Sequence, residues 1–228
     1  MDESSSRDSI ERVKKLVDFL AKNTDENIDI IVVGGTAMSF YGDYRTTTDI
    51  DAEILNCPED LYNASLKYLR DNKIQFNIDE DFDSWGMVPM PRGYRERAVA
   101  VYKEGTITVK TLEPVDFIIS KLRRGADVDI EDTEKIISRY NIDEKAIRER
   151  VSKIEFIKTE ETFWFKQRLE RFIDEKIIQR DYANNKEKNN FEAKPNKSID
   201  GKKHNNPASD DITRDLENRQ NHKIKYRR

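Results

Sequence analysis

Residues 28–55 of this 228-residue chain read IDIIVVGGTAMSFYGDYRTTTDIDAEIL. The first six residues are β-branched and almost all apolar, which predicts a buried strand over 28–33. Two glycines follow at once, and residues 36–41 then predict a short helix. Residues 49–55 alternate acidic and apolar side chains over their first half, which is the period of a strand. The stretch therefore predicts a strand, a glycine turn, a short helix and a returning strand.

The glycine turn and the two aspartates are the candidate functional residues of this stretch. Gly34 and Gly35 let backbone N–H groups approach an anion closely at the start of a helix. Asp49 and Asp51 are two apart on one strand, so both carboxylates point the same way and can reach one metal pair. Thirteen residues separate Gly35 from Asp49, enough for a short helix and a return that brings turn and carboxylates together. The alternatives are a plain turn and a solvated strand face.

Arg45 and the three threonines that follow it, including Thr47, stand immediately before the aspartates. A cation and hydroxyls beside paired carboxylates suit a triphosphate with magnesium better than they suit an ordinary surface. We therefore take Arg45 and Thr47, with the two glycines, as candidate nucleotide-binding residues. Asp49 and Asp51 are the candidate metal ligands.

The flanking sequence predicts helices on both sides of this stretch and a β-hairpin after it. Helices are expected over 9–22, 58–72, 114–124, 130–140, 143–153 and 160–182, and the hairpin over 98–112. Residues 73–95, rich in proline and glycine, predict loop and short strand. The expected class is an α/β (α+β) core with a small mixed sheet, followed by helices only. We divide the chain into a core over 1–125, a helical part over 126–182 and a tail.

The tail, residues 183–228, is basic and poor in apolar residues. It carries 12 Lys and Arg against seven Asp and Glu, a net charge of +5, whereas the rest of the chain has a net charge of −9. Such a composition buries too little apolar surface to offset the entropy of ordering, so disorder is expected. The tail is interpreted as a solubilising segment, with electrostatic contact to RNA as the alternative.

Composition excludes several classes of site. The single cysteine, Cys57, rules out an internal disulfide and a cysteine-based zinc site. Both histidines, His204 and His222, lie in the tail, so Ser-His-Asp and histidine-zinc chemistry are set aside. The acidic N-terminus and the absence of a run of about 18 apolar residues predict neither a signal peptide nor a membrane span. A cytoplasmic location is expected.

Two motifs resemble a known superfamily. VVGGTAMSFYGDYRTTTDIDAEI, residues 32–54, resembles the nucleotidyltransferase signature, and its Gly-Gly-x-Ala start and Arg-x-Thr-x-Asp-x-Asp ending are similar to the AbiEii toxin-like branch. EPVDFIISKLRRGADVDIEDTEKI, residues 113–136, resembles the helical motif of that branch, with Lys121, Arg124, Asp129 and Asp132 in its charged places.

The resemblance implies a metal-assisted transfer of a nucleotide from an NTP to a hydroxyl. Asp49 and Asp51 would hold Mg²⁺ or Mn²⁺, and Gly34, Gly35 and Thr36 would hold the β- and γ-phosphates. Lys121 would add a positive charge near the phosphates or the acceptor. The branch implies a toxin-like role, with RNA or tRNA as the acceptor and a cognate antitoxin as a partner.

One place departs from the superfamily pattern. The third carboxylate expected on a later strand aligns with Lys110, which cannot bind Mg²⁺, and Glu53 and Glu113 are the candidate replacements. The alternative function is therefore a catalytically degenerate nucleotide-binding protein of the same fold. A further alternative is a protein-interaction role in which the aromatic helix predicted over 160–182 docks a partner. Core packing is the preferred interpretation of Phe163, Trp164 and Phe165 over base stacking.

Overall fold

Five strands form one mixed sheet. The computed structural model describes residues 3–42 and 47–178. Its strands are β1 Ile28–Val32, β2 Asp49–Leu55, β3 Gln75–Asp79, β4 Val99–Glu104 and β5 Ile107–Thr111, in the order β3-β2-β1-β5-β4. β1 runs antiparallel to β2 and parallel to β5, whereas β2 runs parallel to β3 and β4 antiparallel to β5. The two strands predicted from residues 28–55 and the predicted hairpin are confirmed.

Eight α-helices surround this sheet within the described residues. They are α1 Glu3–Ala21, α2 Gly34–Phe40, α3 Glu59–Asp71, α4 Tyr94–Arg97, α5 Pro114–Arg124, α6 Asp127–Tyr140, α7 Glu144–Val151 and α8 Glu160–Phe172. A 3₁₀ turn covers Phe82–Trp85, and α8 continues as a π-helical turn over Ile173–Ile178. This is the α+β class that the sequence predicts. No described helix is long and apolar enough to cross a membrane.

Residue spacing explains which helix faces are buried. On α1 the apolar residues recur at helical spacing, and Val13, Leu16, Val17 and Leu20 are all fully buried. α5 begins with Pro114 in its first turn, where a missing N–H costs little, and ends at Gly125, whose φ is +68°. α6, α7 and α8 pack against α5. The proposed domain boundaries stay predictions, and the tail lies outside the described residues.

Two of the three aromatic residues on α8 are not in the core. Phe165 is fully buried, but Phe163 and Trp164 are 53% and 54% exposed. The preferred interpretation of core packing is therefore wrong for Phe163 and Trp164. The buried face of α8 consists of residues at spacings of three and four, namely Thr162, Phe165, Leu169 and Phe172. The two exposed rings fall on the other side of the helix and contact each other edge to face, with centroids 5.2 Å apart.

Strand β3 lies at the edge of the sheet, in the stretch that the sequence assigns to loop and short strand. Ile74, Phe76 and Ile78 alternate there with polar residues, which is a weak strand signal. Each of them packs at least partly against the core. β3 pairs in parallel with β2, with Asn77 directly across from Asp51.

The side chain of Glu53 joins β2 to the segment that follows β3. Its carboxylate is fully buried and accepts hydrogen bonds from the backbone N–H of Phe82 at 3.0 Å and from the hydroxyl of Tyr94 at 3.0 Å. The guanidinium of Arg95 donates to the same carboxylate from Nε at 3.1 Å and from Nη2 at 2.5 Å. Arg95 also reaches Asp81 at 2.9 Å. The segment 81–95 is thereby held against the sheet through one buried charge.

Replacing Glu53 by Gln is expected to lower the free energy of unfolding by about 2–3 kcal/mol, because the charge opposite Arg95 is lost inside the protein. The loss stays below that of a fully buried pair, since Arg95 is 38% exposed and keeps Asp81. Urea unfolding measures it. The matched control is Glu170→Gln at the exposed Arg148–Glu170 pair, expected to cost at most about 1 kcal/mol. Equal losses in the two variants would contradict the role of Glu53.

Candidate functional site

The glycine turn is clamped to β2 by one hydroxyl. Thr36, which is fully buried on α2, donates from Oγ1 to the backbone oxygen of Asp49 at 3.1 Å and accepts from the backbone N–H of Asp51 at 3.1 Å. The backbone N–H of Val33 completes the contact by donating to the Asp51 oxygen at 2.9 Å. The turn and the aspartates therefore meet as their sequence spacing predicts.

At both glycines a Cβ would crowd a neighbouring side chain, that of Asp51 on β2 or that of Thr47 just before it. Gly34 has a φ of +57°, and a Cβ there would lie 2.2 Å from Oδ2 of Asp51. A Cβ on Gly35 would lie 3.0 Å from Oγ1 of Thr47. Glycine is required at Gly34 both for its left-handed backbone and for the close approach of the Asp51 carboxylate. A backbone amide turn thus lies directly beside a carboxylate.

The carboxylates of Asp49 and Asp51 on β2 repel each other. Burial raises the pKa of Asp51 above its ordinary value, and the negative charge of Asp49 raises it further. The backbone N–H of Gly35, the amide of Asn77 and the charge of Lys121 lower this pKa by smaller amounts. Asp49 is half-buried and accepts a hydrogen bond from Oγ1 of Thr47 at 2.7 Å.

These residues fit a hard divalent cation. No Lys or Arg among the described residues forms an ion pair with Asp49 or Asp51. Carboxylates placed side by side in this way are oxygen ligands of the kind that Mg²⁺ takes. Within residues 3–42 and 47–178 there is no group of three or more His, Cys, Asp or Glu placed to hold a metal. Phosphate oxygens and water would therefore complete the coordination of an ion held by this pair, as is usual for Mg²⁺.

A cavity of about 440 Å³ opens beside the turn. This volume lies within the range of small-molecule sites, roughly 300–1,000 Å³. Its walls come from Val33 just after β1, from α2, β2 and β3, from the segment after β3, and from α5, α6 and α8. Of the predicted site residues, Gly34, Asp51 and Lys121 line it. The other lining residues are Val33, Asn77, Phe82, Trp85, Gly86, Met87, Val88, Ser120, Arg123, Arg124, Asp129 and Glu161.

The charged residues of the second motif form one ion-pair cluster at the cavity. Lys121, on α5, is buried and contacts Asp129 at 3.2 Å and Asp132 at 2.6 Å, both on α6. Arg124 donates to both carboxylate oxygens of Asp129, from Nε and Nη2, at 2.6 Å each. Burial pushes the pKa of Asp129 upward, but the hydrogen bond from Arg124 and the charge of Lys121 hold it below its ordinary value. The motif thus fastens α5 to α6 and places Lys121 at the cavity wall.

The third carboxylate does not come from any of the three positions considered. Lys110 lies on β5, separated from β2 by β1, and pairs with Asp29 at 2.7 Å. Glu53 forms an ion pair with Arg95. Glu113 caps α5 and pairs with Arg150 at 2.7 Å. The residue across from Asp51 on the neighbouring later strand is Asn77. Lys110 is therefore not the residue that faces the pair, because the register of β3 decides that position.

Thr36 and Thr47 take structural positions, and Arg45 falls outside the described residues. The hydroxyl of Thr36 hydrogen-bonds to the backbone of β2, and the hydroxyl of Thr47 donates to the Asp49 carboxylate. Arg45 lies outside the described residues, so its role stays a prediction, as does contact of Thr36 and Thr47 with a nucleotide. Sequence reasoning missed the cavity positions of Asn77 and Trp85, because both follow from how the segment after β2 folds back.

Replacing Asp51 by Asn is expected to stabilise the metal-free protein at neutral pH. A carboxyl whose pKa is raised on folding favours the fold while neutral, and this contribution is lost as the pH rises through the folded-state pKa. The melting temperature of the variant in a chelating buffer should therefore exceed that of the wild type at pH 7. The difference between the two melting temperatures should disappear below the ordinary aspartate pKa of about 3.9. The exposed Asp25→Asn is the control, expected to show no such gain; an equal or lower melting temperature for the Asp51 variant at pH 7 would refute the expectation.

Comparison with known proteins identifies the family. Residues 9–180, well over half of the chain, match a family described as a nucleotidyltransferase of unknown function (DUF6036). No curated protein and no solved structure matches the chain. The match includes the glycine turn, the aspartate pair and Lys121, and it confirms the superfamily that the two motifs predict, while the AbiEii-like branch stays a prediction. With this turn, this aspartate pair and this match, the chain belongs to that family of nucleotidyltransferases.

Proposed function

We propose that this protein binds an NTP with Mg²⁺ or Mn²⁺ in the cavity beside Gly34 and transfers a nucleotide to a hydroxyl. The observation that carries the proposal is the contact between the glycine turn and β2, where a Cβ on Gly34 would meet the Asp51 carboxylate at 2.2 Å. Backbone amides for phosphate and carboxylates for a metal thus lie within one ligand's reach. The family match supports the transferase class.

The chain's own groups divide the work of binding and orientation. Gly34 and Gly35 hold phosphate oxygens through the backbone, and Asp49 and Asp51 hold the metal. Bound Mg²⁺ supplies charge stabilisation for the phosphates and orients the two reacting oxygens. The acceptor hydroxyl gives up its proton to the solvent as its oxygen forms a bond to the α-phosphorus, the bond from that phosphorus to the bridging oxygen breaks, and pyrophosphate leaves. Lys121, fixed by its two aspartates, contributes positive potential at the cavity wall.

The acceptor that we propose to test first is an RNA or tRNA hydroxyl, with a cognate antitoxin as a partner. Both follow from the resemblance of the two motifs to AbiEii-like toxins.

A second candidate function is nucleotide binding with little or no turnover. The observation that favours it is Asn77, which faces Asp51 from β3 where a carboxylate would serve as a general base. An amide cannot take the proton of the attacking hydroxyl at neutral pH, so Asn77 cannot act as that base. Catalysis would then be slow even with the nucleotide fully bound.

Calorimetry and pyrophosphate release together separate the two candidates. Purified full-length protein is expected to bind NTPs only with Mg²⁺ or Mn²⁺, and Asp51→Ala is expected to weaken this binding at least about tenfold, which corresponds to about 1.4 kcal/mol. Pyrophosphate release in the presence of cellular RNA, lost in Asp51→Ala and kept in Asp25→Asn, supports the transferase. Metal-dependent binding without release supports the second candidate. Absence of NTP binding with either metal would refute both.

Glycine 34 offers a matched pair of variants. Gly34→Ala places a methyl group on the Asp51 carboxylate, so it is expected to weaken Mg·NTP binding at least about tenfold. Gly105→Ala has the same left-handed backbone, with a φ of +55°, but no described residue apart from its two chain neighbours has an atom within 4 Å of the added Cβ. Gly105→Ala therefore loses about 1–2 kcal/mol of stability from the left-handed backbone but, unlike Gly34→Ala, places no methyl group against a carboxylate. Equal NTP affinities in the two variants would show that the turn does not contact the nucleotide.

A further inference from the structure

The segment after β3 gives the cavity a wall unlike the rest of its surface. Phe82, Trp85 and Val88 line it from this segment, and Arg123 lines it from α5. We infer that this wall is the nucleobase subsite, where the base of the NTP stacks on Trp85 and accepts a hydrogen bond from Arg123. The inference rests on the proposed function, because the phosphates of the same ligand occupy the Gly34 and Asp51 end.

The indole of Trp85 is fixed while its ring stays at the cavity. Its Nε1 donates to Asp79 at 3.2 Å, so the polar atom of the ring is already satisfied. The ring of Phe82 contacts it edge to face, with centroids 5.3 Å apart and planes at 78°. Trp85 is half-buried and lines the cavity. A rigid aromatic ring at a cavity wall is a surface on which any nucleobase can stack.

Arg123 is a buried cation with a donor to spare. Its side chain is 6% exposed, and Nη2 donates to the backbone oxygens of Asp83 at 2.7 Å and Gly86 at 3.4 Å. Its guanidinium carbon lies 5.4 Å from the centroid of the Phe82 ring. The buried Nε has no hydrogen-bond partner within residues 3–42 and 47–178. A buried N–H without an acceptor is costly, and a ligand atom that accepts from it recovers that cost.

The other two cations of the cavity do not offer such a donor. Lys121 and Arg124 both bind Asp129, and Lys121 also binds Asp132. Among the described cavity cations, the buried nitrogen without a partner is therefore Nε of Arg123, whose guanidinium lies against the Phe82 ring. Aromatic rings next to a single N–H suit a flat, largely uncharged group with an acceptor atom on its edge. The nucleobase is the part of an NTP with that chemistry.

Tryptophan fluorescence tests the subsite directly, because the chain contains only Trp85 and Trp164. Trp164 lies on α8 with its ring exposed and its Nε1 donating to Glu160 at 3.1 Å. Trp164→Phe leaves Trp85 as the only indole, and Trp85→Phe leaves Trp164. Each full-length variant is titrated with Mg²⁺ plus ATP, GTP, CTP or UTP, and with Mg²⁺ plus inorganic tripolyphosphate, which has no base.

The expected result is that all four NTPs quench Trp85 in the Trp164→Phe variant, while tripolyphosphate binds without quenching. NTPs should bind more tightly than tripolyphosphate. Equal Trp85 signals for NTPs and tripolyphosphate would overturn the inference while leaving the proposed function intact. NTP quenching confined to Trp164 would also overturn it, since the base would then lie on α8. If neither ligand binds, the proposed function fails and the subsite with it.

Two substitutions give a second, independent reading by calorimetry. Trp85→Leu removes the stacking surface and is expected to weaken NTP binding about tenfold or more while leaving the affinity for tripolyphosphate unchanged. Arg123→Lys keeps a buried cation but removes Nε. It should reduce NTP affinity severalfold and leave the affinity for tripolyphosphate unchanged. Unchanged tripolyphosphate binding shows that the cavity is still folded. Parallel losses for both ligands in both variants would assign Trp85 and Arg123 to structure alone.

Discussion

The buried carboxylate of Glu53 is the contact on which the cavity depends. It lies on the same face of β2 as Asp49 and Asp51, and it accepts hydrogen bonds from the residues that carry the cavity wall. Since a buried charge is stable only when paired, Glu53 and Arg95 hold each other in position. The same bonds help to hold Phe82 and, three residues on, Trp85 in the wall of the cavity that Gly34 also lines.

One strand face thus carries three carboxylates with three different environments. Asp49 accepts from Thr47, Asp51 faces the cavity with a raised pKa, and Glu53 is neutralised by Arg95. Period-2 alternation cannot distinguish these carboxylates, because it reports only which face they share. The side chains that surround each of them decide whether it is available to a metal. Glu53 is not, although the sequence makes it as good a candidate as its neighbours.

The helical part contributes to the site through its ion pairs. Lys121 meets two aspartates of α6, and Arg124 meets one of them, so the motif that resembles a family signature also fixes how α6 lies on α5. Glu161 reaches the cavity from α8, the helix that also carries Phe163 and Trp164. The sheet and the following helices therefore share one cavity. A motif at this junction serves both packing and electrostatics.

The sequence by itself determined the strand, turn, helix and strand of residues 28–55, and with them the meeting of Gly34 and Asp51. Those features follow from local periodicity and from the conformational freedom of glycine, which act over a few residues. Only the tertiary structure decided that Asn77 faces Asp51, that Lys110 pairs with Asp29, and that Trp85 and Arg123 line the same cavity. These depend on strand register and on packing between segments that are distant in the chain. Such contacts leave no periodic pattern in the sequence.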